Sequence, residues 1–212
     1  MSLAILVPVL GRPANVKPLL QSIAASTPEP YRVLFLCDPY DRPEQDAIAA
    51  AGGWMRSPGG GYAAKIRAGV DVTDEPLLML AADDLTFLPG WFDAAVAQLQ
   101  AGASVVGLND LLKRKRRPQH ATHFLMTRDY ANLPCADGSP GPLFQGYSHS
   151  CVDDELIATA THRGAYAYAV DAHVRHDHWM NGGAVDDETY RKGRLRIRRD
   201  LRLFRERSAL WT

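Results

Sequence analysis

Apolar residues in this chain fall in short unbroken runs separated by stretches of helical period, and that alternation sets the expected fold. Leu3 to Val9 is a continuous apolar run followed by Gly11 and Pro13, the pattern of a strand covered on both faces. From Asn15 to Ala25, Val16, Leu19, Leu20 and Ile23 recur at helical spacing, with Asn15 placed as an N-cap. Arg32 to Cys37 reads as a second buried strand closed by Asp38-Pro39, and Glu44 to Ala51 as a helix ended by Gly52-Gly53. Trp54 and Met55 form a short strand, and Tyr62 to Val70 resumes as helix after the loop Ser57 to Gly61. Leu77 to Ala81 is a further buried strand, with Asp83 and Asp84 at its carboxyl end. Pro89-Gly90-Trp91 then turns into a helix from Phe92 to Gln100. Ser104 to Leu108, His123 to Thr127 and Tyr166 to Val174 read as strands, Cys135 to Gly146 as a loop, and Val152 to His162 as a helix closed by Gly164.

Strand and helix alternating over the first hundred residues predict an α/β, Rossmann-like domain with a mostly parallel central sheet. Ligands of such sheets bind at the carboxyl ends of the strands, so Arg12, Asp38, the Gly59 to Gly61 loop, Asp83 and Asp84 are expected to converge. A length of 212 residues suits one domain, residues 1–185, followed by a basic helical tail, residues 186–212, packed on it. Zero formal net charge means that bulk charge selects neither nucleic acid nor membrane as a partner. Three widely spaced cysteines without a C-x-x-C pair argue against a disulfide framework and for a reducing cytoplasm. The N-terminus lacks the pattern of a signal peptide, and no run approaches the roughly 20 apolar residues of a membrane span. A soluble protein without a transmembrane segment is expected.

Charge is local. Lys113 to Arg117 is five basic residues in a row, and Arg191 to Arg207 holds nine Lys or Arg against Asp200 and Glu206. Ile197, Leu201 and Phe204, at i, i+4 and i+7, predict an amphipathic helix docked through those side chains. Its charged face is either simply solvated or binds an anion such as nucleic acid, a phospholipid head group or an acidic glycan. The lack of interleaved aromatics counts against single-stranded nucleic acid.

Several residues suit chemistry. Asp83 and Asp84 at a strand end offer hard oxygen ligands for Mg²⁺ or Mn²⁺ shared with substrate phosphates, or simply cap a loop. Asp153 and Asp154 open a helix, where acids favour the macrodipole, and either could serve as a general base. His176 and His178 would point to one side of a strand, and imidazole suits Mn²⁺ better than Mg²⁺. No third soft ligand stands at a spacing that would make a zinc site. The helix start Gly61 to Gly69 could favour an anion but lacks the P-loop pattern.

These segments together resemble the family 2 glycosyltransferases of GT-A type, including bacterial and phage members, and the resemblance covers most of the chain. Aligned through Pro89-Gly90-Trp91, the family's metal-binding Asp falls on Asp84, while Ala82 occupies the first position of its D-x-D triplet and Asp83 the middle one. The opening strand and loop resemble the family's nucleotide-contacting segment. That likeness implies that Pro8 and Val9 lie near the base, Arg12 near base or phosphates, Asp38 near the nucleoside, and Lys65 and Asp83 near the nucleotide-sugar. Cys151 to Gly164 resembles the helix that carries the family's catalytic base, which falls on Asp153, with Asp154 as the neighbouring alternative and Val152 in place of an acid. The late metal-binding His falls on His176, with His178 as competitor, and the segment after Trp179 resembles a lid. The loop bearing Phe144, Tyr147 and His149 falls on the acceptor side.

The resemblance implies a metal-dependent enzyme that uses Mn²⁺ or Mg²⁺. It would move a sugar, with inversion, from a nucleotide-sugar donor to a hydroxyl of a glycan, protein or modified nucleic acid. Its setting would be the cytoplasm of a bacterium, or of the host for a phage-encoded chain. Two rivals stand beside it. A sugar nucleotidyltransferase would need a fuller Gly- and Arg-rich first loop than Gly11-Arg12. A degenerate GT-A fold that binds nucleic acid or a protein partner through its basic segments is favoured by Ala82 and Val152.

Overall fold

The computed structural model describes residues 2–112, 119–177 and 188–211. Strand β1 (Leu3–Pro8) is buried at every position. Successive side chains leave opposite faces of a strand, so Leu3, Ile5 and Val7 enter one apolar core and Ala4 and Leu6 a second, across the sheet. Two covered faces explain why the run shows no polar alternation. β2 (Tyr31–Leu36) and β4 (Leu77–Leu80) flank β1 in parallel, and β3 (Trp54–Arg56) extends the sheet beyond β2. Helices α1 (Val16–Ser26), α2 (Arg42–Ala50) and α4 (Trp91–Gln100) supply Leu19, Ile23, Ile48 and Trp91 to the first core. α3 (Tyr62–Val72) and α6 (Val152–His162) supply Ile66, Val70 and Leu156 to the second. Asn15 ends a 3-10 turn, Pro13–Asn15, and makes no side-chain capping bond to α1.

The second half of the sheet departs from the parallel expectation. It contains β5 (Leu85–Phe87), β6 (Val105–Asn109), β7 (Phe124–Thr127) and β8 (Tyr166–His176), in the spatial order β3-β2-β1-β4-β7-β6-β8-β5. β7 runs antiparallel to both β4 and β6, and β5 antiparallel to β8, whereas β6 and β8 are parallel. The sheet is therefore mixed. An apolar run covered on both faces carries no mark of its direction; the connection decides it. Among the described residues no crossover helix stands between β6 and β7, and the two pair antiparallel. A single helical turn, α5 (Arg128–Ala131), follows β7, with the Thr127 hydroxyl accepting from the Tyr130 N–H at 3.3 Å.

The basic tail is helix α7 (Glu188–Arg207), and its docking differs from the apolar repeat. Ile197 and Leu201 stay 41% and 38% exposed; Leu203 and Phe204 are the side chains that pack on the second core. Asp200 is fully buried and accepts the backbone N–H groups of Ser148, His149 and Ser150, each at 2.9 Å. Burial pushes its carboxyl pKa up, but those donors outweigh it and hold the group below the ordinary carboxylate range. The resulting stability is present at neutral pH and is lost as pH falls through that range. About two turns on, Arg207 grips both oxygens of buried Glu155 at 2.6 and 2.8 Å, reaches Asp137 at 2.8 Å and lies over the Phe144 ring at 3.3 Å. Tyr147 donates its hydroxyl to the same Glu155 at 2.6 Å.

Removing one partner of a buried ion pair strands the other. We therefore expect Arg207→Ala to cost about 3–5 kcal/mol in urea unfolding. A loss below about 1 kcal/mol would show that solvent replaces the guanidinium, as at an exposed pair.

Candidate active site

The loop after β1 is shaped by α2. Asp41 accepts the Gly11 N–H at 2.6 Å and Glu44 the Arg12 N–H at 2.7 Å, with Gly11 in the left-handed region at φ +66. Glu44 is fully buried; burial raises its pKa, partly offset by the bond from Arg12. Lys65, on α3, is 3% exposed and crosses to the ends of both neighbouring strands, donating to the Val9 carbonyl at 2.8 Å and pairing with Asp38 at 3.2 Å. Pro8, Val9, Asp38 and Lys65 thus meet at the carboxyl ends of β1 and β2, where the alternation places Asp38. Cys37 lies beside them, and burial pushes its thiol up to about 11, an inert group.

Asp83 and Asp84 follow β4. The Arg12 guanidinium lies 3.4 Å from an Asp83 oxygen and 3.0 Å from Asp84 Oδ2. Asp84 Oδ1 is 3.4 Å from His176 Nε2. Strand register creates that contact. Leu85 is opposite His176 in the β5–β8 ladder, and the Asp177 N–H donates to the Asp84 carbonyl at 2.9 Å. Asp83 Oδ2 is buried without a hydrogen bond. Burial, and then the Asp84 charge, push Asp83 up to about 8. Two buried carboxylates held this close require positive charge, and the guanidinium stands where a cation is needed.

Asp153 and Asp154 occupy the first turn of α6, after Cys151 in a left-handed conformation at φ 67, which costs an L-residue about 1–2 kcal/mol. His120 Nε2 is 2.8 Å from Asp153 Oδ2, and His120 Nδ1 is 3.7 Å from Asp154 Oδ1. Burial raises the Asp153 pKa, but the His120 bond and charge prevail and lower it. Tyr62 lies in the field of both this carboxylate and Asp84: burial first, then Asp153, then Asp84 raise its phenol, which donates to the Ala81 carbonyl at 3.3 Å. His149, whose N–H is held by Asp200, is lowered by burial and responds in the opposite sense to Asp153, Asp200 and Asp84. Phe144 and Tyr147 instead turn to Arg207 and Glu155, where they support α6.

His120, His123, Asp110, Tyr62 and Glu44 escaped the sequence reading. His123 is buried with neither ring nitrogen hydrogen-bonded, its ring centre 5.0 Å from that of His176, and burial pushes it down to about 4, so it is neutral. Asp110, at the end of β6, accepts from the Thr122 hydroxyl at 3.0 Å and the Leu112 N–H at 3.1 Å. The one signal available was the pair of histidines three apart after the basic run; nothing in their spacing links them to an acid 33 positions on. His178, the basic run Lys113 to Arg117 and most of the expected lid lie outside the described residues.

Among the described residues no three His, Cys, Asp or Glu groups converge closely enough to hold an ion by themselves. Asp84 and His176, beside Asp83, are the residues that would hold a hard cation, one that completed its shell with phosphate oxygens and water. No helix of the described residues is long and apolar enough to cross a membrane, and the three cysteines are buried and free.

No protein-family pattern matches the chain, and no characterised protein matches it in sequence. Solved structures do match in shape. Glucosyl-3-phosphoglycerate synthase from Mycobacterium tuberculosis, bound to Mn²⁺, UDP and glucosyl-3-phosphoglycerate, aligns with a TM-score of 0.62 at 15% identity, over 82% of this chain and 71% of that one. The same enzyme with Mn²⁺, UDP-glucose and phosphoglyceric acid gives a TM-score of 0.61 at 14% identity, over the same shares. A further mycobacterial protein gives 0.63 at 14%, over 82% and 67%. Identities this low establish shared architecture, and that architecture is the GT-A fold the sequence resemblance implies.

Proposed function

We propose that the chain is a metal-dependent glycosyltransferase that takes a sugar from a nucleoside-diphosphate donor to an acceptor hydroxyl. The observation that carries this reading is the buried acid pair at the end of β4. It is ion-paired with Arg12 and lies against His176, on a fold whose solved neighbours bind Mn²⁺ with UDP or UDP-glucose. Pro8, Val9, Asp38 and Lys65 form the nucleoside end of the site. Arg12 and Asp83 face the diphosphate: Arg12 exchanges its carboxylate partners for phosphate oxygens, and Asp83 would meet the diphosphate through the ion, which it would help Asp84 and His176 to hold. Asp84 and His176 hold the divalent ion, Mn²⁺ or Mg²⁺, with His178 as the alternative imidazole. That ion supplies neutralisation of the charge growing on the leaving nucleotide. Asp153, or Asp154 beside it, takes the acceptor proton, and the anomeric centre inverts. His120 keeps the Asp153 carboxylate oriented. The acceptor hydroxyl belongs to a glycan, a protein or a modified nucleic acid. Residues 1–185 form the catalytic unit, to which the tail is tied through Asp200 and Arg207.

A second reading is a GT-A fold that binds partners without catalysis. Ala82 and Val152 favour it, as does the guanidinium already neutralising the acid pair.

A thermal-shift panel of UDP, GDP, dTDP and CMP, with and without Mn²⁺, separates the two. At about a hundred times Kd we expect one nucleotide to raise the melting temperature by about 5–10 °C. The shift should require Mn²⁺ and vanish in Asp84→Ala. No shift with any nucleotide would favour the non-catalytic reading.

The ion must displace the proton that Asp83 retains, so affinity depends on pH. Without ion, the folded state holds a proton the unfolded state has lost, and stability falls as pH rises through the folded pKa near 8. With ion, we expect the Mn²⁺-induced shift to grow between about pH 6 and pH 8, because metal ligands must be deprotonated. An equal shift across that range would contradict the assignment of Asp83 to the ion site.

Asp153→Asn should leave nucleotide binding intact while slowing transfer by about 10²–10⁴-fold, read as nucleotide release from the donor in the presence of acceptor. Unchanged turnover, in a variant that still binds, would move the base to Asp154 or elsewhere.

A further inference from the structure

The nucleoside end, the acid pair and the start of α6 are built from separate parts of the chain, and Tyr62 borders all three. It opens α3, directly after the loop Gly59 to Gly61. That loop runs along the nucleoside end: the Gly59 N–H donates to the Cys37 carbonyl at 3.4 Å, and a Cβ on Gly59 would lie 3.9 Å from an Asp38 oxygen. Lys65, three residues on and so a neighbour of Tyr62 on the helix surface, reaches Asp38 and the Val9 carbonyl. The Tyr62 hydroxyl donates to the carbonyl of Ala81, two residues before Asp83. Its ring, partly buried, packs on the second core, which Cys151 and Val152 enter immediately before Asp153. Burial, then the charges of Asp153 and Asp84, push its phenol up, so it stays protonated at neutral pH. The transfer chemistry proposed above gives this side chain no part.

We propose that Tyr62 is a contact for the transferred sugar: its hydroxyl turns from the Ala81 carbonyl and donates to a hydroxyl of the sugar on the donor. The inference rests on the transferase reading and adds to it the residue that recognises the sugar itself. In that reading the place of the sugar is constrained. It is joined to the diphosphate held beside Asp84, and the acceptor hydroxyl that Asp153 activates must come within about 3–3.5 Å of its anomeric carbon. The sugar therefore lies between the acid pair and the start of α6, the two elements that Tyr62 borders. Three observations favour a sugar contact over a purely packing role. First, the bond to Ala81 is 3.3 Å long, beyond the roughly 2.5–3.0 Å of a good O–H···O bond, so exchanging it for a sugar oxygen costs little. Second, the ring alone fills its place in the second core, and a phenylalanine would do so without bringing a polar group to that apolar face. Third, a protonated phenol is a neutral donor. It suits a neutral sugar hydroxyl, whereas the diphosphate already has the cations Arg12 and Lys65 on its side of the site.

The test is calorimetric titration of the full chain, with Mn²⁺ present, against UDP, GDP and dTDP and against the glucose conjugate of each. Tyr62→Phe keeps the ring in the second core, so the melting temperature should hold. For the nucleotide that binds, this variant should weaken the glucose conjugate by about 3–10-fold, the size of one lost hydrogen bond, and leave the free diphosphate within about twofold. That split marks a sugar contact, because a structural role would move both affinities together. A Tyr62→Phe chain that loses the diphosphate and its conjugate equally, or loses neither, would overturn the inference and leave the transferase reading in place. A wild-type chain that binds none of these ligands would overturn the transferase reading, and this inference with it.

Discussion

Two carboxylates forced together out of water are the constraint around which this end of the protein is organised. Asp83 and Asp84 are both buried to within a few percent at their side chains, and their mutual repulsion is relieved by a proton held on Asp83 and by the groups placed beside the pair. The fold meets it from two directions. Arg12 comes from the loop after β1, which α2 holds through Asp41 and Glu44. His176 comes from the end of β8, held opposite Leu85 by the β5–β8 ladder. Loss of the guanidinium would leave charge unbalanced in a low-dielectric site, and loss of the imidazole would remove a polar neighbour of Asp84, so distant elements are tied to the same two side chains. The proposed divalent cation and diphosphate would bring opposite charges together in the same place.

A second tie joins the tail to the other half of the site. Asp200 acts as a buried anion for three consecutive backbone N–H groups, and Arg207 closes on Glu155, the residue after Asp153 and Asp154 in the first turn of α6. The left-handed Cys151 lies between these two anchors. Backbone in that conformation persists when its surroundings hold it, and here α7 does so from both sides. The tail is therefore structural for the α6 turn, through the face that carries Asp200 and Arg207.

Much of this was legible in the chain. The unbroken runs Leu3 to Val9 and Leu77 to Ala81 marked β1 and β4, because a strand covered on both faces admits no polar residue. With those strands placed, the convergence of Arg12, Asp38 and the Asp83-Asp84 pair followed from the topology of α/β sheets alone. What misled was side-chain accounting in the tail: Ile197 and Leu201 lie at helical spacing yet remain partly exposed, since the docking residues are Leu203, Phe204 and the polar pair Asp200 and Arg207. A hydrophobic period does not register a buried carboxylate that three peptide N–H groups satisfy.

By itself the sequence determined the elements, the strand ends at which a ligand would sit and the acids available there, because hydrophobic period and turn chemistry are local properties. The tertiary structure decided which distant residues meet. Whether β7 runs up or down, how β5 registers against β8, and that His120 reaches Asp153 and Arg12 reaches Asp84 all depend on pairings across tens of residues. Local spacing carries no record of such pairings, since contact energy and loop closure settle them only when the whole chain has folded.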